Sequence, residues 1–90
     1  MAYSVKKKVE TITSNTILVA EDFGGWQAIC VGDDPVTVNG IELSPSGNVV
    51  GLDYTNLHPS AIWDDTITIR FAGTGTNPKL IVTRLKYIQR

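Results

Sequence analysis

The chain has 90 residues, 42% of them hydrophobic, and a formal net charge of −1. That length allows one domain over residues 1–90, able to bury roughly 60% of the surface its unfolded chain exposes. One cysteine, Cys30, excludes an internal disulfide frame, and the near-neutral charge argues against the strongly basic surface of a nucleic-acid binder.

The opening Met1-Ala2-Tyr3-Ser4-Val5-Lys6-Lys7-Lys8 is not followed by the apolar run of about 7–15 residues that a secretory signal needs. No stretch approaches the ~20 apolar residues of a membrane helix. A soluble protein without a membrane partner is therefore expected. From Ser4 to Thr13 the residues suit a strand, but Val5 and Val9 share one parity and Ile12 has the other, so a bulge or bend is expected to reconcile them. Thr16 to Val19 reads as a continuation beyond the turn-forming Ser14-Asn15, and Glu21-Asp22-Phe23-Gly24-Gly25 interrupts it.

Trp26 to Val31 is the next strand, with Cys30 inside an apolar run that favours a buried structural thiol. Gly32-Asp33-Asp34-Pro35 ends it as a turn. The hairpin of Val36 to Leu43 follows, its Asn39-Gly40 suited to a type I′ turn because both residues tolerate positive φ. Ser44-Pro45-Ser46-Gly47 makes another turn before Asn48 to Leu52. Tyr54 to Trp63 is the longest irregular connection, expected to lie over one end of the sheets.

Thr66 to Phe71 alternates cleanly, with Ile67, Ile69 and Phe71 facing a core. Gly73-Thr74-Gly75-Thr76-Asn77-Pro78 reads as a flexible hairpin connection into Lys79 to Gln89. That last run is apolar on both parities, as in a central strand covered on both sides or an edge strand buried by another subunit. About seven short strands at this spacing make the fold class all-β: a compact antiparallel β-sandwich, with a small barrel as the alternative.

Catalytic chemistry finds little support. His58 precedes Pro59 in a loop, and its sequence neighbours Ser60 and Asp64 do not define a nucleophile, base and orienter. The acid pairs Glu21-Asp22, Asp33-Asp34 and Asp64-Asp65 lack the spaced Asp and closing Glu of a calcium loop. The glycine-threonine segment lacks the lysine-hydroxyl ending of a phosphate loop. No enzyme activity, cofactor or metal is expected.

Charge is distributed unevenly. Lys6, Lys7, Lys8, Lys79, Arg84, Lys86 and Arg90 against Glu10 give the terminal segments +6, while the eight acids of residues 21–78 against Arg70 give −7. If the terminal strands lie together, one face is basic and suited to docking against complementary neighbours. Lys6, Lys7, Lys8, Arg84 and Lys86 are the basic candidates for contact, although residues 6–8 alternate sides on a strand. Trp26, Tyr54 and Trp63 are large amphipathic rings beside turns, fit for a protein contact or for a carbohydrate platform. On a platform the rings are exposed and coplanar; in an assembly protein at least Trp63 is buried.

The run Val36 to Gly47, followed by Trp63-Asp64-Asp65-Thr66-Ile67-Thr68-Ile69, resembles a pattern in small β-sandwich structural proteins of tailed bacteriophage particles. The likeness covers about half the chain and consists of hairpin grammar, without a distinctive site. It implies a non-enzymatic component of the virion, in the capsid, connector or tail, assembled in the host cytoplasm. Its partners would be virion structural proteins or copies of itself. A carbohydrate-binding module is the alternative reading, with a glycan as partner; nucleic acid is not expected.

Overall fold

The computed structural model describes residues 3–19, 23–44, 50–55 and 62–89. His58, Ser60, the Glu21-Asp22 pair and the turn at Pro45 to Gly47 lie outside the described residues. The chain is all-β, with β1 (Tyr3–Ile12), β2 (Thr16–Leu18), β3 (Gly25–Cys30), β4 (Val36–Val38), β5 (Ile41–Leu43), β6 (Val50–Asp53), β7 (Ile67–Phe71) and β8 (Leu80–Gln89). They form two four-stranded antiparallel sheets, ordered β1-β8-β3-β6 and β2-β7-β4-β5. Among the described residues no strand pairs across the two sheets, so the architecture is a sandwich and not the barrel.

Period-two alternation builds the core. Trp26, Ala28 and Cys30 of β3 and Leu80 and Val82 of β8 turn inward from one sheet; Val36, Val38, Leu43, Ile67 and Ile69 meet them from the other. Six of these residues, Ala28, Val36, Val38, Ile69, Leu80 and Val82, have no exposed surface at all, which places the centre of packing between β3 and β8 on one side and β4 and β7 on the other.

Three sequence expectations change. The register of β1 against β8 runs unbroken from Tyr3↔Gln89 to Ile12↔Leu80, so no bulge reconciles the mixed parity. Instead Ile12 packs against the core, while Val5 and Val9 lie on the outer face, 53% and 62% exposed. Thr16 to Leu18 does not extend β1 but crosses to the opposite sheet and pairs with β7. Nor is the segment from Gly73 to Pro78 a hairpin, because β7 and β8 belong to different sheets.

That segment is also not loose. The β3–β4 and β7–β8 crossings run side by side: Val31 N and Gly32 N donate to Lys79 O at 3.0 and 3.1 Å, Asp33 N to Asn77 O at 3.1 Å, and Ala72 N to Pro35 O at 2.8 Å. A side chain at Gly32 has no room, since its Cβ would lie 2.0 Å from Asn77 O. The adjacent carboxylates complete the fastening. Buried Asp34 accepts from Gly73 N at 3.0 and 3.1 Å and from Thr74 N at 3.2 Å. Exposed Asp33 accepts from Asn77 N at 2.6 Å, Thr76 Oγ1 at 2.8 Å and Thr76 N at 3.1 Å. Backbone donors from Asn77 and Thr76, with the Thr76 hydroxyl, hold the Asp33 carboxyl below its ordinary value of 3.8.

The Asn39-Gly40 turn takes the expected form, with φ of 48° and 82° between the paired Val38 and Ile41. Asn39 also reaches β7, its N–H donating to Thr68 O at 3.0 Å and its Oδ1 accepting from Thr68 N at 2.8 Å.

Two predictions follow from these loops. Open space surrounds a Cβ at Gly40, so Gly40→Val acts through backbone strain alone and is expected to lower stability by about 1–3 kcal/mol in urea unfolding; an unchanged midpoint contradicts the turn geometry. Because Asp33 is more acidic folded than unfolded, its contribution is complete above the unfolded value and disappears as pH falls through the folded one. Thermal melts from about pH 5 to about pH 2 are expected to show a shallower decline for Asp33→Asn than for wild type, and parallel curves contradict the assignment.

Candidate functional site

The terminal strands do lie together, over their full ten-residue length. β8 pairs with β3 only up to Leu85, so Lys86 to Gln89 and their partners Tyr3 to Lys6 continue as a two-stranded tongue. This ribbon contributes to the elongated shape, 47 × 23 × 18 Å. Tyr87 Oη donates to Thr55 O at 3.1 Å and ties the tongue to the exit of β6.

The basic residues separate into three environments. Lys6 and Lys86 are directly opposed and exposed on the same face, with Lys8 also exposed on that face. Lys7 falls on the opposite face, across from Leu85. Arg84, expected to extend a surface patch, is instead 5% exposed and faces the interior. Its Nε donates to Glu10 Oε1 at 3.0 Å, its Nη2 forms a short ion pair with the same oxygen, and its Nη1 donates to Val19 O at 3.1 Å. The guanidinium carbon also lies 5.0 Å from the Phe23 ring centre. A buried cation needs such partners, because removing it from water costs several kcal/mol before the ion pair offsets it.

The rings collect above this pair. Trp26, Tyr54 and Trp63 have centroids 4.9–5.4 Å apart, with interplanar angles of 37°, 42° and 77°. Trp63 is drawn in by a backbone bridge to Phe23, its N–H donating to Phe23 O at 2.6 Å, and Tyr54 N donates to Trp26 O at 2.8 Å. Trp26 is the core plug, only 1% exposed, whereas Trp63 and Tyr54 are half-buried. The cluster is tilted and edge-on, without the coplanar exposed faces of a sugar platform. The cavity beside Trp26, Trp63 and Arg84 measures about 10 Å³, room for a water but not a sugar ring.

Other reactive groups are structural in their placement. Cys30 is buried, its Sγ–H donating to Asp34 O at 3.6 Å, and desolvation pushes its thiol up, away from the reactive thiolate. Asp53 is held below the usual carboxylate range by the hydroxyl and N–H of Thr55. Among the described residues no three His, Cys, Asp or Glu side chains gather as a metal site, and no helix is long and apolar enough to cross a membrane.

The outer face of the β1-β8-β3 layer is legible in the sequence of β8, whose last run is apolar on both parities, whereas the same mixed parity in β1 reads as a bulge. Val5 and Val9 of β1 stand exposed there, beside half-buried Ile81, Leu85 and Tyr87 of β8 and Ile29 of β3. The mixed parities of β1 and β8 carried the signal, since apolar residues that miss the core face must point the other way. Comparison with family models, curated proteins and solved structures finds no match to this chain.

Removing one partner of the buried pair exposes its energetic role. Glu10→Ala removes a carboxylate from beside the buried guanidinium and is expected to cost about 2–4 kcal/mol in urea unfolding. Arg84→Met is expected to cost less, since the Glu10 side chain it leaves behind is 24% exposed and retains hydration. The reverse order would show that the guanidinium is not the costly group.

Proposed function

We propose that this chain is a non-enzymatic structural module of a tailed bacteriophage particle, docking onto neighbouring proteins through the outer face of its β1-β8-β3 layer. The observation that carries the docking surface is the group of apolar residues on that face, where no described element forms a second layer above Ile81 and Leu85 of the central strand. Antiparallel sheets ordinarily present polar residues to water on their uncovered side. A cluster of Val5, Val9, Ile29, Ile81, Leu85 and Tyr87 on the outer face of so small a domain favours a protein contact instead. The particle setting rests on the resemblance of Val36 to Gly47 and Trp63 to Ile69 to small virion sandwiches.

The packed arrangement of Trp26, Tyr54 and Trp63 supports assembly over glycan recognition, because these rings already spend their faces and edges on one another. Purification of native particles followed by identification of their chains is expected to recover this protein. Leu85→Thr, which keeps strand preference but removes apolar surface, is expected to fold and to be depleted from particles. A chain absent from particles, or undiminished incorporation of the variant, overturns the respective part of the proposal.

A further inference from the structure

β1 is an edge strand ten residues long, with β8 on one side and no described strand on the other. Residues 5–9 are all exposed. Such an edge offers a row of backbone donors and acceptors to any strand that fits it. The other edges, β6, β2 and β5, have only four, three and three residues, and short edges are poor templates.

We propose that β1 pairs edge to edge, antiparallel, with β1 of a second copy of this chain, with Val9 on the two-fold axis. The side chains select this register. It sets Val9 against Val9, Lys8 against Glu10, Lys7 against Thr11 and Lys6 against Ile12, each with its symmetric repeat. Centring the axis on Lys8 opposes two lysines, and centring it on Glu10 opposes two glutamates; like charges directly across strands repel. The charges thus disfavour the registers centred on residues 6, 7, 8 and 10, and the pairing at Val9 keeps more of the ten-residue strand in register than one centred on Val5 or Thr11. On the even-numbered face, Arg84 Nε and Nη2 bond Glu10 Oε1, and in this register the Glu10 carboxylate stands across from Lys8 of the second copy. On the odd-numbered face, Val9, 62% exposed in the single chain, is covered by its symmetry mate.

The resulting sheet runs continuously through eight strands and joins the two apolar outer faces side by side. The surface invoked for particle docking is thereby enlarged, yet the pairing depends on edge hydrogen bonds and charge register, not on that docking.

Sedimentation equilibrium from micromolar to millimolar concentration tests the proposal. Wild type is expected to rise from 9.8 kDa toward twice that mass, and Lys8→Glu, which sets two acids opposite, to remain at the lower value. Val9→Cys is expected to form a disulfide-linked dimer on mild oxidation, whereas Val5→Cys, whose partner in this register is Thr13, is not. Cys30 is buried and does not compete. A wild-type chain that stays monomeric at millimolar concentration, or equal cross-linking of the two cysteine variants, overturns the proposal. Leu85→Thr is expected to dimerise like wild type, so loss of particle incorporation and loss of edge pairing are read separately.

Discussion

The fastening of two neighbouring crossings by Asp33 and Asp34 is the constraint on which the sandwich depends. The chain crosses from the β1-β8-β3-β6 sheet to the other between β3 and β4 and crosses back between β7 and β8. Both passages occur at the end of the sandwich where Cys30 pairs with Leu80. Each passage removes backbone groups from a strand ladder, and unpaired groups near a core are costly. The two carboxylates answer this with oxygens that receive Gly73, Thr74, Thr76 and Asn77, while main-chain bonds complete the seam. Hydrogen bonds to a charged acceptor are roughly twice as strong as neutral ones. A domain with one thin core and no disulfide gains from placing them where its sheets must be kept in step.

The opposite end is closed by different chemistry. Arg84 follows Leu80 and Val82 on the inward face of β8, a position where period-two patterning calls for another apolar residue. Its guanidinium gathers Glu10 from β1, the Val19 carbonyl beyond β2 and the Phe23 ring before β3. Segments distant in sequence are thereby held by one side chain, with Trp26, Tyr54 and Trp63 sealing the space beside it. A hydrophobic residue of similar volume would pack there but would not specify which segments converge. The planar, multidonor guanidinium specifies them through geometry.

How much of this was legible depends on whether the governing interaction is local. The Asn39-Gly40 turn and the alternation of Ile67, Ile69 and Phe71 are written in adjacent residues, and the structure has both. Cys30 in an apolar strand reads correctly for the same reason. The sheet to which each strand belongs was not legible, because Ser14-Asn15 and Gly73 to Pro78 permit either a reversal or a crossing, and distant partners decide. Asn15 illustrates this: its Oδ1 accepts from Phe71 N at 2.7 Å, fifty-six residues away. Arg84 looked like surface charge since nothing near it in sequence announces Glu10, seventy-four positions earlier. The apolar outer face was legible as mixed parity in β8, read as a strand covered on both sides, whereas in β1 an assumption that every valine seeks the core turned the same signal into a bulge.

Closure at both ends leaves the terminal ribbon as the part whose interactions are incomplete. Its inward residues, from Leu80 to Arg84 on β8 and Glu10 and Ile12 on β1, are committed to the core and the ion pair. Its outward face carries Val5, Val9, Ile81, Leu85 and Tyr87 among Lys7, Thr11 and Thr83, and no described strand pairs with its far edge. Toward the tongue, Lys6 and Lys86 face each other directly, a pairing that weakens the isolated ribbon. Acidic groups on a neighbouring surface would relieve that repulsion, and an apolar neighbour would cover Ile81 and Leu85 without altering the fold beneath. The sequence thus gathers an opposed lysine pair and exposed valines in one contiguous element. Such a distribution couples association to stabilisation of the ribbon, since any partner that covers this surface binds the folded chain in preference to the unfolded one.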